Sequence, residues 1–509
     1  MCLHPPTVRP RLRRLAAALL LAAVPALSAA VSPAAPAGGS DLWYAVTIAG
    51  EPVGSVHEVT AVEDGAVRSL STLKLVLNRL GTRVEMGMIV ITRESLAGDL
   101  LGVDTELLLS AQATSSHLTV EDGRVRLRDR AGDRDFERTV PFTGELLGPE
   151  GLRRRSAAGL RKPGDRIELQ TWVADLGAVR RVTRTVIAEE TLPGLGATWK
   201  IEETTEGSPA PQILWLDAEG REVQTLDLGP FGEMRSLRTD EATARQAEGG
   251  GRLPAEMYAA SFLPVDRPIP DPRHVERLVL RLRHRDPGLG WPAFEGTGQR
   301  VLEKTTETLV LEITRQHPRT RLPFPLPATA IQDEDRAFLG ANAYVQPDDP
   351  GIRAAAESAV AGARDPLEAG LALQRWVTAH MHYDLGIVFA PSTEVFTSRR
   401  GTCAGYAMLL TTMARAVGLP ARYAMGYVYV DGHFGGHAWT EIKIGDTWIP
   451  LDAAVPTEGP ADATHLAVQT SSLDEGIASL AGGPVMQMLG HLQVEVVEVG
   501  GGAARSGDQ

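Results

Sequence analysis

Cysteine is scarce in this chain. The 509 residues include only two cysteines, Cys2 and Cys403. We expect Cys2 to be removed with an N-terminal export signal, so a disulfide within the mature chain is excluded and Cys403 remains as its single cysteine. A single cysteine in an exported chain is a candidate reactive thiol. The alternative is that Cys403 serves only as a small buried hydrophobe.

The chain also lacks an excess of positive charge, since its net charge is -13. That balance argues against nucleic acid and anionic membrane surfaces as partners. A hydrophobic content of 43% and a charged content of 23% are ordinary for a globular protein. The length predicts several domains rather than one core. The oligomeric state is not indicated.

A long apolar run is found near the N-terminus, where Arg13 and Arg14 precede residues 15–24. Pro25 and the small residues at 26–30 follow it. This order predicts a signal peptide over residues 1–30, and hence a periplasmic or secreted bacterial protein. The run is shorter than the roughly 20 residues that a spanning helix needs, so we expect no stable membrane anchor after cleavage.

Short alternating strands and turn signals dominate the first half of the chain. Residues 31–40 read as a linker, and residues 41–242 predict a β-rich N-terminal domain, with strands at 42–48, 82–92, 166–172 and 212–216. No motif there carries chemistry. The basic run from Arg153 to Arg155 is interpreted as a solvated loop, and residues 242–253 as a linker.

The second half changes from alternating to helical periodicity. Residues 255–327 predict a small β module, or the edge of the next domain, followed by a proline-rich connector. Residues 328–462 predict a catalytic domain that begins with helices at 352–363 and 366–381. Residues 463–509 are interpreted as a C-terminal tail with a weak strand at 492–499.

Cys403 is predicted to lie in the first turn of a helix. Ala407, Leu410 and Ala414 follow it at the spacing of one helix face. Thr402 is a suitable N-cap residue. A thiol at this position faces unpaired N–H groups and the positive end of the helix dipole, which both favour the thiolate.

Three antiparallel strands are predicted after this helix, at 422–430, 438–444 and 447–451, with a turn at 431–436. If Ile444 faces Thr447 across the second turn, counting outward makes Asp452 a diagonal neighbour of His437. A carboxylate there could hold one imidazole nitrogen while the other faces Cys403. A general base needs that arrangement.

The stretch resembles the transglutaminase-like superfamily, whose papain-like cores carry Cys, His and Asp in this order. The likeness rests on Gly401-Thr402-Cys403, residues 418–422, His437-Ala438-Trp439 and residues 448–452. It implies an α+β fold in which helices pack on an antiparallel sheet, and this core follows the β-rich region in the chain. It also implies that Cys403, His437 and Asp452 form the catalytic triad. Thr402 and residues 404–406 depart from the pattern usual in the group, which puts an inferred substrate preference in doubt.

The resemblance implies acyl transfer through a thioester on Cys403, acting on a peptide or protein without a cofactor. Water as acceptor gives a protease or amidase, which is the commoner expectation in the bacterial branch, and a lysine gives a cross-linking transglutaminase. A non-catalytic envelope-binding or scaffold protein is the alternative class. The alternative interpretation of the same residues is a zinc site formed by His433 and His437 and extended by His380 and His382. No further ligand motif accompanies these histidines.

Overall fold

The computed structural model describes residues 39–501 except for 112, 133, 175–176, 209, 230–231, 250–253, 257–260, 286–289, 293, 295–296, 475–487 and 489–490. The signal peptide expected at 1–30 and nearly all of the linker expected at 31–40 therefore lie outside the described residues. So does the end of the linker expected at 242–253.

The N-terminal region forms one antiparallel sheet of 14 strands. Strands β1 to β8 form a meander, β9 to β14 form a second meander, and pairing of β1 with β14 joins the two. The strands are β1 Ser40–Ile48, β2 Glu51–Glu63, β3 Ala66–Arg79, β4 Thr82–Ser95, β5 Leu100–Leu108, β6 Thr114–Glu121, β7 Arg124–Ala131, β8 Arg134–Pro141, β9 Arg166–Val173, β10 Ala178–Leu192, β11 Gly196–Thr205, β12 Gln212–Leu216, β13 Glu222–Gly229 and β14 Gly232–Thr239.

Two short helices accompany this sheet, one between β8 and β9 and one after β14, and the sequence did not predict either of them. Helix α1 (Pro149–Gly159) contains the basic run that we interpreted as a loop; Arg153 and Arg154 both pair with Glu150 one turn earlier. Helix α2 (Glu241–Ala247) occupies the start of the expected linker, because the Asp240 side chain accepts a hydrogen bond from Thr243 N and caps it. Local capping and ion pairs therefore outweigh the weak apolar pattern of both segments.

The C-terminal half is built on a five-stranded antiparallel sheet. Its strands are β15 Leu263–Pro264, β21 Ala421–Val430, β22 His433–Ile444, β23 Thr447–Leu451 and β24 His465–Ser471. The order is β15-β22-β21-β24, with β23 also paired to β22. The helices of this half are α3 Pro350–Ala359, α4 Pro366–His380, α5 Ser392–Ser398 and α6 Cys403–Ala416.

A further sheet, in the order β17-β18-β16-β25, packs against part of the five-stranded sheet. Its strands are β16 Val275–His284, β17 Gln299–Lys304, β18 Thr308–Thr314 and β25 Leu492–Gly501. Strand β25 comes from the segment that we interpreted as a tail, and its neighbour β16 from the segment predicted as a small β module. Two-residue strands β19 (His382–Tyr383) and β20 (Arg400–Gly401) pair in parallel.

The helices bury their apolar faces against the five-stranded sheet. One core cluster joins α3, α4 and α6 to β21, β22 and β23, with Leu373, Leu410 and Ile442 fully buried. A second cluster joins β16, β18 and β25 to the ends of β21 and β22 through Leu280 and Phe434. The predicted helices at 352–363 and 366–381 are confirmed as α3 and α4.

The architecture confirms the prediction of an α+β fold with a β-rich N-terminal region. Within the part of the chain that the structure describes, no helix combines the length and the apolarity needed to cross a membrane. The large sheet lines a half-open cavity of about 670 Å³, and the lining of this cavity includes none of the three predicted catalytic residues. Cys403, His437 and Asp452 all lie in the C-terminal half.

Candidate active site

The first residue of α6 is Cys403, as predicted, and its thiol is not in a disulfide. Thr402 occupies the N-cap with extended backbone, although its side chain makes no capping hydrogen bond among the described residues. Gly401 approaches the helix so closely that a Cβ there would lie 3.2 Å from Cα of Gly405. A larger residue would have to push the helix backbone away by a few tenths of an ångström, so glycine fits best where β20 turns into the helix. Cys403 is 9% exposed.

His437 lies in the middle of β22, and Asp452 follows the end of β23. The pairing of Ile444 with Thr447 and of Thr440 with Leu451 confirms the predicted register of this hairpin. The preceding turn differs from the prediction, because only Asp431 and Gly432 adopt positive φ, at 47° and 91°. A two-residue turn suffices there, so β22 begins at His433 and includes Gly435 and Gly436, two of the three glycines that we assigned to the turn.

The structure brings the three predicted site residues together. The imidazole of His437 and the backbone N–H of Ala438 lie close enough to the Cys403 thiol for both to lower its pKa. Nε2 of His437 lies 2.6 Å from Oδ2 of Asp452. The second carboxylate oxygen, Oδ1, accepts hydrogen bonds from the backbone N–H groups of Ala454 at 2.8 Å and Val455 at 3.0 Å. The orientation of Asp452 is thereby fixed.

Electrostatics favour an ion pair between the thiol and the imidazole. Burial alone would raise the pKa of Cys403, but the bond to His437, the charge of Arg79 and the Ala438 N–H outweigh it and lower that pKa. Burial likewise disfavours a charged His437, but Asp452 and Cys403 raise its pKa well above the ordinary value. The arrangement therefore favours a thiolate paired with an imidazolium over a neutral thiol beside a neutral imidazole.

Asp452 stays ionised in this environment. Burial would raise the pKa of its carboxyl group, but the charges and hydrogen bonds of His437 and His465 hold that pKa far below the usual range. His465, the first residue of β24, places Nε2 3.0 Å from the same Oδ2 atom of Asp452. The sequence analysis missed this residue. Its only local signal is its position three residues after Asp462.

The large N-terminal sheet forms part of the wall beside Cys403. Leu107, Leu109 and Phe136 pack into the cluster that contains the cysteine. The carbonyl oxygen of Leu109 accepts hydrogen bonds from the backbone N–H groups of Val388 at 3.1 Å and Phe389 at 3.4 Å. The N-terminal region is therefore in contact with the site.

Two polar contacts strengthen that junction. The guanidinium of Arg134 makes two bonds of 2.6 Å to the carboxylate of Asp348. The Glu394 carboxylate accepts hydrogen bonds from Ser110 Oγ at 2.8 Å and from Ala111 N at 3.3 Å. The first contact joins the N-terminal region to the residues just before α3, and the second joins it to α5, so both help to fix the position of the site.

The histidines of the rival zinc site do not assemble around His437. His433 stacks on Phe262 with ring centroids 4.6 Å apart. His380 stacks on Trp376, and its Nδ1 atom lies 2.7 Å from the Trp376 carbonyl oxygen. These contacts account for both side chains without a metal.

Another set of donor atoms does lie close together, in His437, Asp452 and His465, within 4.8 Å of one another. Ligands about 2.0 Å from a tetrahedral zinc ion are roughly 3.3 Å apart. The 2.6 Å between His437 Nε2 and Asp452 Oδ2 is shorter than that and fits a direct hydrogen bond. The geometry thus supports a hydrogen-bonded chain better than a metal site.

Comparisons with known proteins bear on the same region. Residues 353–453 match the family model described as the transglutaminase-like superfamily. The comparison with curated proteins returned no match. Among solved structures, a proposed cysteine protease from Cytophaga hutchinsonii is 16% identical over 46% of this chain and 89% of its own, with a TM-score of 0.30.

Two further solved structures are similar to parts of the chain. A β-barrel-like protein of unknown function from Brucella abortus is 12% identical, over 39% of this chain and 95% of its own, with a TM-score of 0.31. The periplasmic domain of TgpA from Pseudomonas aeruginosa is 16% identical, over 39% of this chain and 88% of its own, with a TM-score of 0.26. None of the three is similar enough to carry an argument about chemistry.

Proposed function

We propose that this chain, which carries a transglutaminase-like core in residues 353–453, is an exported cysteine enzyme that cleaves peptide or protein amide bonds through a thioester on Cys403. The family match confirms the resemblance drawn from the motifs. The observation that carries the proposal is the buried pair of His437 and Asp452, whose imidazole lies beside the Cys403 thiol and lowers its pKa. Nucleophile, base and orienting carboxylate each have the partner that their role requires.

In the first step the Cys403 thiolate attacks the carbonyl carbon of the bound amide, forming a C–S bond and an oxyanion. The backbone N–H of Cys403, at the start of α6, is the proposed donor to that oxyanion. The imidazolium of His437 then gives its proton to the leaving nitrogen as the C–N bond breaks. The products of this step are a free amine and an acyl thioester on Cys403.

In the second step a water molecule attacks the thioester while neutral His437 accepts its proton. The C–S bond breaks, the carboxylic acid leaves, and the imidazolium of His437 again faces the Cys403 thiolate. A lysine amine could take the place of water by the same proton transfers, which would give a cross-linking transglutaminase. We propose water as the acceptor, so the enzyme is a protease or amidase.

The purified mature chain tests this proposal against peptide pools, with product masses measured with and without an added primary amine. Hydrolysis predicts pairs of products whose summed mass exceeds the substrate mass by one water, whereas transamidation predicts products that carry the added amine. Cys403→Ala is the control and should lose all turnover while keeping its fold. Turnover retained in the Cys403→Ala variant would refute the proposed mechanism. A wild-type thiol no more reactive than a free model thiol would favour a non-catalytic binding protein.

A further inference from the structure

His465 is a buried titratable residue that the two proposed steps do not use. Its side chain is 2% exposed and lies at the start of β24, which pairs with β21. Its ring centroid is 6.1 Å from that of His437, and the indole of Trp439 packs edge-on against it. Burying an ionisable ring so close to the site calls for a physical explanation.

Both nitrogens of the His465 ring face oxygen acceptors. Nε2 lies 3.0 Å from Oδ2 of Asp452. Nδ1 lies 3.2 Å from the backbone carbonyl oxygen of Asp462 and 3.6 Å from its Oδ1 atom. A neutral imidazole has a proton on only one nitrogen, so it could satisfy one side only. The surroundings therefore favour the imidazolium, with one N–H directed to each aspartate.

Asp462 is itself held in place. Its carboxylate is fully buried and accepts hydrogen bonds at Oδ1 from the backbone N–H of Thr464, at 2.8 Å, and from the Thr464 hydroxyl. Nη1 of Arg273 lies 3.1 Å from Oδ2, and the same guanidinium donates to the carbonyl oxygen of Tyr429 at 2.6 Å. Arg273 thus connects the segment before β16 to Asp462, which in turn supports the ring of His465.

We propose that His465, anchored by Asp462, is a positioning residue for the reaction. It holds the Asp452 oxygen that orients His437, and it places a second positive charge behind the thiolate–imidazolium pair. The inference rests on the proposed function and extends it by two residues. His465 reaches no reacting atom in this account; it acts through Asp452.

The sign of the effect follows from the charged groups that face His465, which are Asp452, Asp462, His437 and, beyond Asp462, Arg273. Removing the His465 charge makes the potential at Cys403 more negative, so the pKa of the thiol should rise. Removing the Asp462 charge has the opposite effect, so the pKa of the thiol should fall. Loss of packing alone has no reason to produce opposite shifts.

The experiment measures the rate of alkylation of Cys403 by iodoacetamide from pH 3 to pH 10, with the modified residue identified by mass spectrometry. The full mature chain is compared with His465→Gln and Asp462→Asn. The matched control is His433→Gln, a histidine of the same sheet that stacks on Phe262. Circular dichroism checks that each variant is folded.

The acidic limb of the profile should move to higher pH in His465→Gln and to lower pH in Asp462→Asn, each by about half a pH unit or more, because a unit charge acts over several ångströms in a buried site. His433→Gln should match the wild type. If the acidic limbs of the two variants do not move, or move in the same direction, the role of His465 is overturned and the proposed function is left intact. If one variant fails to fold, the direction of the other decides.

A wild-type profile with the pKa of an ordinary thiol, near 8.5, would instead refute the proposed function, and the role of His465 with it. The position of the wild-type limb therefore tests the enzyme, and the difference between the two variants tests the positioning chain.

Discussion

Replacing Asp452 by Asn tests the orienting role of the carboxylate with little change in side-chain shape. Oδ2 faces the ring nitrogens of His437 and His465, and Oδ1 faces the backbone N–H groups of Ala454 and Val455. An amide has only one acceptor oxygen. Either orientation of the new side chain therefore turns an NH2 group towards two N–H donors.

The orientation that keeps the two backbone hydrogen bonds points the amide NH2 at His437. The imidazole must then accept at Nε2 and carry its proton on the nitrogen that faces Cys403, where a base needs a lone pair. In a serine triad with the same logic, this change lowers turnover by about 10⁴-fold.

We therefore expect Asp452→Asn to lower kcat by about 10³- to 10⁴-fold and to slow alkylation of Cys403 at pH 7, because the loss of the Asp452 charge lowers the pKa of His437. The assay is single-turnover cleavage of a peptide found by the substrate screen, with the melting temperature recorded in parallel. Asp446→Asn, in the exposed turn of the same hairpin, is the matched control and should be unchanged. An Asp452→Asn enzyme within tenfold of the wild type would refute the orienting role.

Two further predictions concern charges around the site. Arg79→Gln should move the acidic limb of the Cys403 alkylation profile to higher pH, because the Arg79 guanidinium lowers the pKa of the thiol. Arg83→Gln, on the same hairpin, is the control. Acidic limbs at the same pH in both variants would contradict the effect of Arg79. The pKa of Asp462 is lowered to about 2, because His465, Arg273 and Thr464 outweigh its burial. The ionised Asp462 carboxylate therefore stabilises the fold fully above the ordinary carboxyl pKa of about 4, and this stabilisation is lost as the pH falls towards 2. The melting temperatures of the wild type and Asp462→Asn should converge between about pH 4 and pH 2. A difference in melting temperature that stays constant over this range would argue against the ion pair.

The sequence predicted those parts of the site that are encoded locally. The start of α6 followed from Thr402 and the apolar spacing after Cys403, and the β22–β23 register followed from the turn at Gly445 and Asp446. Helix periodicity and tight turns act over a few residues, so a single sequence is enough to show them. Asp452 could therefore be placed beside His437 by counting.

The parts that were missed depend on contacts between distant segments. Arg79 lies more than 300 residues before Cys403 in the chain, and its effect on the thiol has no local pattern. His465 and Arg273 meet around Asp462 because β24 pairs with β21 and the segment before β16 packs alongside. Pairing between distant strands leaves no periodic signal in one sequence.

The domain limits drawn from composition stay predictions. The structure adds that β25, at the C-terminus, pairs with β16 from the segment at 255–327, and that Leu109 of the N-terminal region bonds to the loop at Val388 and Phe389. Stretches that look separable by composition therefore share contacts. We expect a fragment that begins after residue 253 to keep its own sheets but to lose part of the wall beside Cys403.

The central claim is that His437 holds Cys403 as a reactive thiolate. The most direct measurement is the second-order rate of iodoacetamide alkylation at Cys403 at pH 6, compared among the wild type, His437→Ala and a free cysteine peptide. The account predicts that the wild type reacts at least about tenfold faster than the peptide, since an ordinary thiol is almost wholly protonated at that pH. It also predicts that His437→Ala falls to the rate of the peptide or below it. Equal rates for the wild type and His437→Ala would contradict the ion pair and, with it, the proposed enzyme.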